Sequence, residues 1–214
     1  MKKLKYFAGI NKPFLFVLPD KHGSYEIEKQ KLISLKSIGV DNVLLEGYVK
    51  DSYLRSGEFM LSSDLIRVGF DIHQIEDSKL FEKVAFMLDV FYLVCYKFSN
   101  LFIDFEKFSP DFLNNFKFLS PHESIDSTKY YLKKEFGLDF DFNDINYDKC
   151  LNLVAQMEVI IDNHVLEKRN NVFLAAIDNY FAFSKVNSGA LVVGRKHLHG
   201  LYTTLKGKYN LVEV

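Results

Sequence analysis

The sequence predicts an α/β fold: a mostly parallel sheet built from the N- and C-terminal segments, with a helical insertion between them. Three observations carry this. Two short apolar runs near the start, residues 14–18 and 43–45, are separated by a helical pattern. Two more runs, residues 190–193 and 211–214, flank a second helical pattern. Long stretches between these ends are free of Gly and Pro and carry helical periodicity. Unbroken apolar strands are usually covered on both faces, as in parallel sheets.

Taken in order, Phe14-Leu15-Phe16-Val17-Leu18 is the first strand, stopped by Pro19, Asp20, Lys21, His22 and Gly23. Ile27, Leu32, Leu35 and Ile38 then share one face of a helix, with Gly39 placed to cap its C-terminus. Val43-Leu44-Leu45 follows as a strand ending in Glu46-Gly47, which completes a βαβ unit. At the other end, Ala190-Leu191-Val192-Val193 is closed by Gly194. Leu198, Leu201, Tyr202 and Leu205 mark a short helix ended by Gly207, and residues 211–214 form a last strand. The intervening helices are expected at 79–98, with Ser78 as N-cap, at 126–136, stopped by Gly137, and at 147–183. Residues 1–78 and 186–214 thus make the α/β core, and 79–185 the insertion. Phe98, Phe102, Phe105, Phe108, Phe112 and Phe116 recur at helical spacing. They suit the core of two short helices broken at Pro110, with a greasy lid or an apolar ligand pocket as the alternative.

A chain of 214 residues is long enough to bury a sizeable core. Its 48% apolar and 26% charged content excludes a disordered chain, a collagen and a disulfide scaffold. A net charge of −1 predicts no nucleic-acid footprint. Cys95 and Cys150 sit in apolar helical runs and read as buried free thiols, hence a reducing, cytoplasmic setting. The basic start, Met1-Lys2-Lys3-Leu4-Lys5, imitates a signal peptide, but Asn11-Lys12-Pro13 interrupts the apolar run behind it. The apolar segment 84–98 contains Asp89 and Lys97 and falls short of the roughly 20 residues a span needs, so no membrane span is expected. Oligomeric state is left open, a homo-oligomer included.

Chemistry is expected at the carboxyl ends of the strands, where open parallel sheets bind ligands. The first strand ends in Asp20 and His22, the second in Glu46, and the C-terminal one in Gly194-Arg195-Lys196-His197. Two imidazoles and two carboxylates at one edge suit a divalent metal held by His22, Glu46 and His197. They equally suit a general base with a carboxylate partner. Ordinary polar capping of buried strands is the plainer alternative. In the long helix, Glu167-Lys168-Arg169-Asn170-Asn171 interrupts the apolar pattern in every direction. Glu167 and Asn170 share a face, and Arg169 is a fixed cation suited to a carboxylate or an oxyanion. A solvated stretch would look the same. There is no HExxH, GxSxG, P-loop or CxxC pattern.

Together these motifs resemble the TraB/TIKI/ChaN/erythromycin-esterase superfamily, in which a Gly-x-x-His follows the first strand and an acidic residue follows the second. A Glu-Arg-Asn-like motif then lies on a late helix, and a second Gly-x-x-His precedes the terminal helix and strand. Here the second motif is intact as Gly194-Arg195-Lys196-His197, Glu46 fits the acidic position, and Glu167-Lys168-Arg169-Asn170 fits the helix motif with one inserted residue. Ile75-Glu76-Asp77 resembles the Gly-x-Glu-Asp stretch that precedes the first insertion helix. The first motif departs, with Pro19 where Gly is usual, and Pro has no N–H to donate. The resemblance implies several activities: a metal-dependent peptidase using Mn, Co, Fe or Zn, an esterase with a histidine base, or a haem-binding protein. The leading expectation is a hydrolase of a peptide or small-molecule ester. His22, Glu46, Arg169 and His197 would be catalytic, with Asp20, Glu167, Asn170 and Gly194 in support. Binding of haem or another flat apolar ligand, and an inert interaction domain on the same scaffold, are the alternatives.

Overall fold

The computed structural model describes residues 12–20, 25–50, 57–85, 87, 125–139 and 147–214. Strands β1 (Phe14–Asp20), β2 (Asn42–Leu45), β3 (Asp71–Gln74), β4 (Ser188–Gly194) and β5 (Asn210–Glu213) form one sheet in the order β3-β2-β4-β1-β5. Every pairing is parallel. The helices are α1 (Tyr25–Ser37), α2 (Gly57–Arg67), α3 (78–85), α4 (Ile125–Phe136), α5 (Tyr147–Ile161), α6 (Arg169–Ser184) and α7 (Arg195–Lys208). A π-helical segment, Asp162–Lys168, joins α5 to α6. His22, the phenylalanine stripe at 98–116, and most of the helix expected at 79–98 lie outside the described residues, as does the side chain of Cys150.

Strand order explains the layering. From β1 to β2 to β3 the chain moves toward one edge of the sheet, and from β3 to β4 to β5 it moves back. Parallel crossovers are right-handed, so opposite directions of travel place their helices on opposite faces. The core divides accordingly. Phe16, Leu18, Val43, Leu45, Ala190 and Val192 pack with Leu32 and Leu35 of α1 and Leu61 and Leu65 of α2. The alternate residues Leu15, Val17, Leu44, Leu191 and Val193 pack with Phe173, Ile177 and Phe181 of α6 and Leu201 and Leu205 of α7. The period of two along each strand is the pleat itself. β4 is buried along its whole length, which is why it reads as an unbroken apolar run.

Two compact units divide the chain, Met1–Phe81 with Leu166–Val214, and Glu82–Val165. The sheet, α6 and α7 belong to the first, so α6 groups with the α/β core. In the second unit, Leu132, Leu138, Leu153 and Met157 are buried, and Lys83 Nζ pairs with Glu135 at 2.7 Å.

Several local expectations need correction. β1 does not stop at Pro19 but runs through it to Asp20. Val214 N–H donates to the Val17 carbonyl, so alternate residues 15, 17 and 19 turn their polar groups toward β5. The β1–β5 register ends at Val17↔Glu213, so the missing N–H of Pro19 falls where no ladder bond is called for. The cap of α3 is Asp77, whose carboxylate accepts from Leu80 N–H at 2.8 Å, and not Ser78. α7 starts three residues earlier than the apolar pattern and continues past Gly207 to Lys208, because Leu201, Leu205 and Tyr209 are held by the sheet. The long helix is not continuous α-helix; it widens into the π segment just before Arg169. Gly39, by contrast, follows α1 at φ +94°, as a helix-ending glycine should.

Two glycines test this packing. A Cβ on Gly189 would lie 3.3 Å from Leu44 Cδ1 and 3.4 Å from Phe181 Cζ, whereas one on Gly207 would meet nothing within 4 Å. Urea unfolding should show Gly189→Ala destabilised by about 1–3 kcal/mol through overpacking. Gly207→Ala should be stabilised by roughly 0.5–1 kcal/mol, the usual gain of alanine over glycine within a helix.

Candidate functional site

The carboxyl ends of β2, β3 and β4 each deliver a polar residue to one place. β2 ends at Leu45, and the main chain of Glu46 still bonds to β4 through Val192 O at 3.0 Å. Gly47 then turns at φ +72°, a conformation that disfavours any residue with a Cβ, and its N–H donates to Glu76 at 3.1 Å. Glu76 lies just beyond β3. Gly194 ends β4 and is the N-cap of α7, where it offers no side chain. Its N–H donates to the Glu46 carboxylate instead, so an anion from a neighbouring strand sits at the positive end of α7. A Cβ on Gly194 would come within 3.3 Å of that carboxylate. His197 follows in the first turn of α7.

Arg169 joins these pieces from α6. Its Nε donates to Glu76 at 3.2 Å, and its Nη2 donates to both Glu76 and Glu46, the latter at 3.0 Å. Nη1 lies 3.2 Å from His197 Nε2. The residues are closed off from water: Glu46 is 8% exposed, Glu76 and Arg169 6%, and His197 4%. Burial by itself would pull the Arg169 pKa down. The charges and hydrogen bonds of Glu76, and then of Glu46, outweigh that and hold it above its ordinary value. Phe173 packs beneath, its ring 5.2 Å from the guanidinium and 5.1 Å from the imidazole.

His197 is fixed at both nitrogens. Nδ1 lies 2.8 Å from Asn170 Oδ1, an acceptor, so Nδ1 carries the proton and the neutral ring offers Nε2 as a lone pair. Nε2 is also 3.3 Å from Glu46 Oε1, so a protonated ring would turn that contact into an ion pair. Two carboxylates and one guanidinium sum to −1, and protonation of His197 would bring the cluster to zero. Asn170 is itself pressed against Gly200 of α7; a Cβ on that glycine would overlap the amide.

The structure therefore brings together Glu46, Arg169, Asn170, Gly194 and His197. Asp20 is buried at the end of β1 and pairs with Gly194 in the strand register. Glu167 lies exposed on the π-helical turn, and the carboxylates that hold Arg169 are Glu46 and Glu76. His199 is exposed. The residue that sequence reasoning left out of the site is Glu76. Its signal was faint: it lies two residues beyond β3, a four-residue strand with no apolar run to mark its end.

His22, one of the three residues expected to hold a metal, lies outside the described residues. Among the described residues, no group of three His, Cys, Asp or Glu side chains is placed to hold an ion. The donors that come close, Glu46 and His197, already face the guanidinium of Arg169. Haem meets the same obstacle here, since both nitrogens of His197 are engaged. No family model, curated protein or solved structure matches the chain.

Arg169→Met should be severely destabilising, because it leaves two carboxylates buried without their cation, a loss of about 3–5 kcal/mol. The orphaned carboxylates of the variant should have raised pKa values in the folded state. The deficit should then be greatest above neutrality and shrink as the pH falls toward 5 and they protonate. Denaturant titrations of both proteins from pH 5 to 8 measure it.

Proposed function

We propose that the chain is a hydrolase that cleaves a peptide or ester bond with a histidine-activated water at the carboxyl edge of the sheet. The observation that carries this reading is the Glu46–Arg169–His197 cluster, with His197 fixed by Asn170. It lies where open parallel sheets place their chemistry. The resemblance of the Glu46, Arg169–Asn170 and Gly194–His197 motifs to the TraB/TIKI/ChaN/erythromycin-esterase superfamily supports it.

In this reading His22, two residues beyond Asp20, is the general base. It takes a proton from water, and the hydroxide adds to the carbonyl carbon. Arg169 uses four of its N–H groups within the protein, and the fifth, on Nη1, has no described partner. That donor is the one suited to the oxyanion, a role that Pro19 cannot fill from its backbone. The tetrahedral intermediate collapses as the imidazolium returns its proton to the leaving alcohol or amine. Glu46, Glu76 and Asn170 position Arg169 and His197. No step runs through a metal.

One observation favours a second reading, an inert scaffold. Four of five Arg169 donors already serve the fold, as in a purely structural lock.

Hydrolysis of p-nitrophenyl butyrate and of fluorescein-labelled casein tests both readings. Under the hydrolase reading, His22→Ala and His197→Ala each lower turnover by about 10²-fold or more, with far-UV circular dichroism unchanged and EDTA without effect. Gly200→Ala, which displaces Asn170, should lower kcat and shift the pH profile. Wild-type protein inactive on both substrates would favour the scaffold reading, and activity that survives both histidine changes would overturn the histidine-based mechanism.

A further inference from the structure

β3 is an edge strand, paired on one side only, with β2. Asp71 N–H donates to Asp41 O at 2.9 Å, so residues 71 and 73 turn their main-chain groups toward β2. Ile72 and Gln74 turn theirs to the open side, where they can pair with another strand. Beside this edge, between β3 and the C-terminal half of α6, lies a concavity of about 710 Å³. Ala176, Tyr180 and Phe183 line it at helical spacing and form one stripe along α6. Phe183 is 83% exposed, a large apolar ring left to solvent at the rim.

The charges of this edge are arranged in opposite senses at its two ends. Asp71 stands exposed where β3 begins. Lys50 stands exposed where β3 ends, its main-chain N–H donating to the Gln74 side chain at 3.1 Å. Lys50 lines the concavity, and the Asp71 charge reaches His73 and Tyr180 on the same side of the sheet. Neither residue forms a salt bridge among the described residues. An edge that is acidic at its start and basic at its finish is complementary to its own antiparallel copy.

We propose that β3 pairs antiparallel with β3 of a second copy of this chain, which continues the sheet across a two-fold axis at His73. Ile72 opposite Gln74 is the register that uses every outward main-chain group of both strands. Asp71 of each copy then lies toward Lys50 of the other. His73 packs on Tyr180 with ring centroids 4.5 Å apart, so the axis also passes near Tyr180. α6 feeds β4 through a short turn and runs against the strands, and the two α6 stripes meet antiparallel. Phe183 of one copy thereby comes opposite Ala176 of the other, where a small side chain leaves room for a ring. That apolar contact is needed, because four residues of ladder do not associate on their hydrogen bonds alone. None of these residues belongs to the Glu46–His197 cluster, so the proposal is independent of the hydrolase reading.

Sedimentation velocity of the full chain should show a reversible monomer–dimer equilibrium with a Kd below about 100 μM. Asp71→Lys and Lys50→Glu should each weaken it about 5–20-fold, since each sets like charges together at both ends of the paired edge. An equimolar mixture of the two variants should associate as the wild type does, because both charge pairs are then opposite in sign again. Phe183→Ser should weaken the dimer about 10-fold or more. All three positions are exposed, so far-UV circular dichroism of the variants should match the wild type. A chain that stays monomeric up to about 300 μM would give the edge to a different occupant and overturn the proposal. So would a dimer that these substitutions do not weaken, or charge variants that mixing does not rescue.

Discussion

A single guanidinium holds the carboxyl edge of this sheet together. Arg169 reaches from α6 to acids that follow β2 and β3, and to a histidine that follows β4. Each of those charges would be costly to bury alone, and their proximity is tolerable only because the guanidinium lies among them. The same arrangement lets α7 start on a glycine. Gly194 can come close to Glu46 because it has no side chain, and Glu46 supplies the negative charge that the helix end lacks. Strand ends, helix start and cation therefore depend on one another, and no member can be exchanged without disturbing at least two elements.

The π-helical segment gives this arrangement its local cause. An α-helix that continued unbroken from residue 147 would keep a steady 100° step, and the polar run at 167–171 would spread around it. The wider turn over Asp162–Lys168 resets the phase just before Arg169. Arg169 then faces the sheet with Phe173, Ile177 and Phe181 on the same side, while Glu167, Lys168 and Asn171 face solvent. Such widened turns are often retained at functional positions because they aim a side chain that a regular helix would misdirect.

Much of this was legible from residues alone, for identifiable reasons. Runs such as Leu15-Phe16-Val17-Leu18 and Leu191-Val192-Val193 are apolar on both faces, so the covered parallel sheet follows directly. Glu46 and His197 stood out just beyond apolar strands, and Arg169 because it falls in a polar run that interrupts an apolar helix. Glu76 was harder to see, since β3 has only four residues and alternates Asp, Ile, His and Gln, with no apolar run to announce a strand end. The partner of Arg169 was also out of reach: Glu167 is its neighbour in sequence, but a helix that turns Arg169 inward carries Glu167 outward. Pro19 misled in the opposite sense. Its usual meaning as a strand breaker fails where β1 outruns the register of β5.

The strand order also bears on how the chain reaches this state. β1 lies between β4 and β5, so Phe14 pairs with Ser188 on one side and Asn210 on the other. Neither neighbour exists until translation has passed most of the intervening helices. An apolar strand emerging from the ribosome must therefore remain without its sheet partners for a long interval, guarded only by α1 and whatever chaperone engages it. Closing contacts of such sequence separation also makes folding slow and leaves a sticky edge available to other nascent chains. Yield in the cell should thus respond to translation speed and chaperone supply more sharply than the stability of the finished molecule suggests.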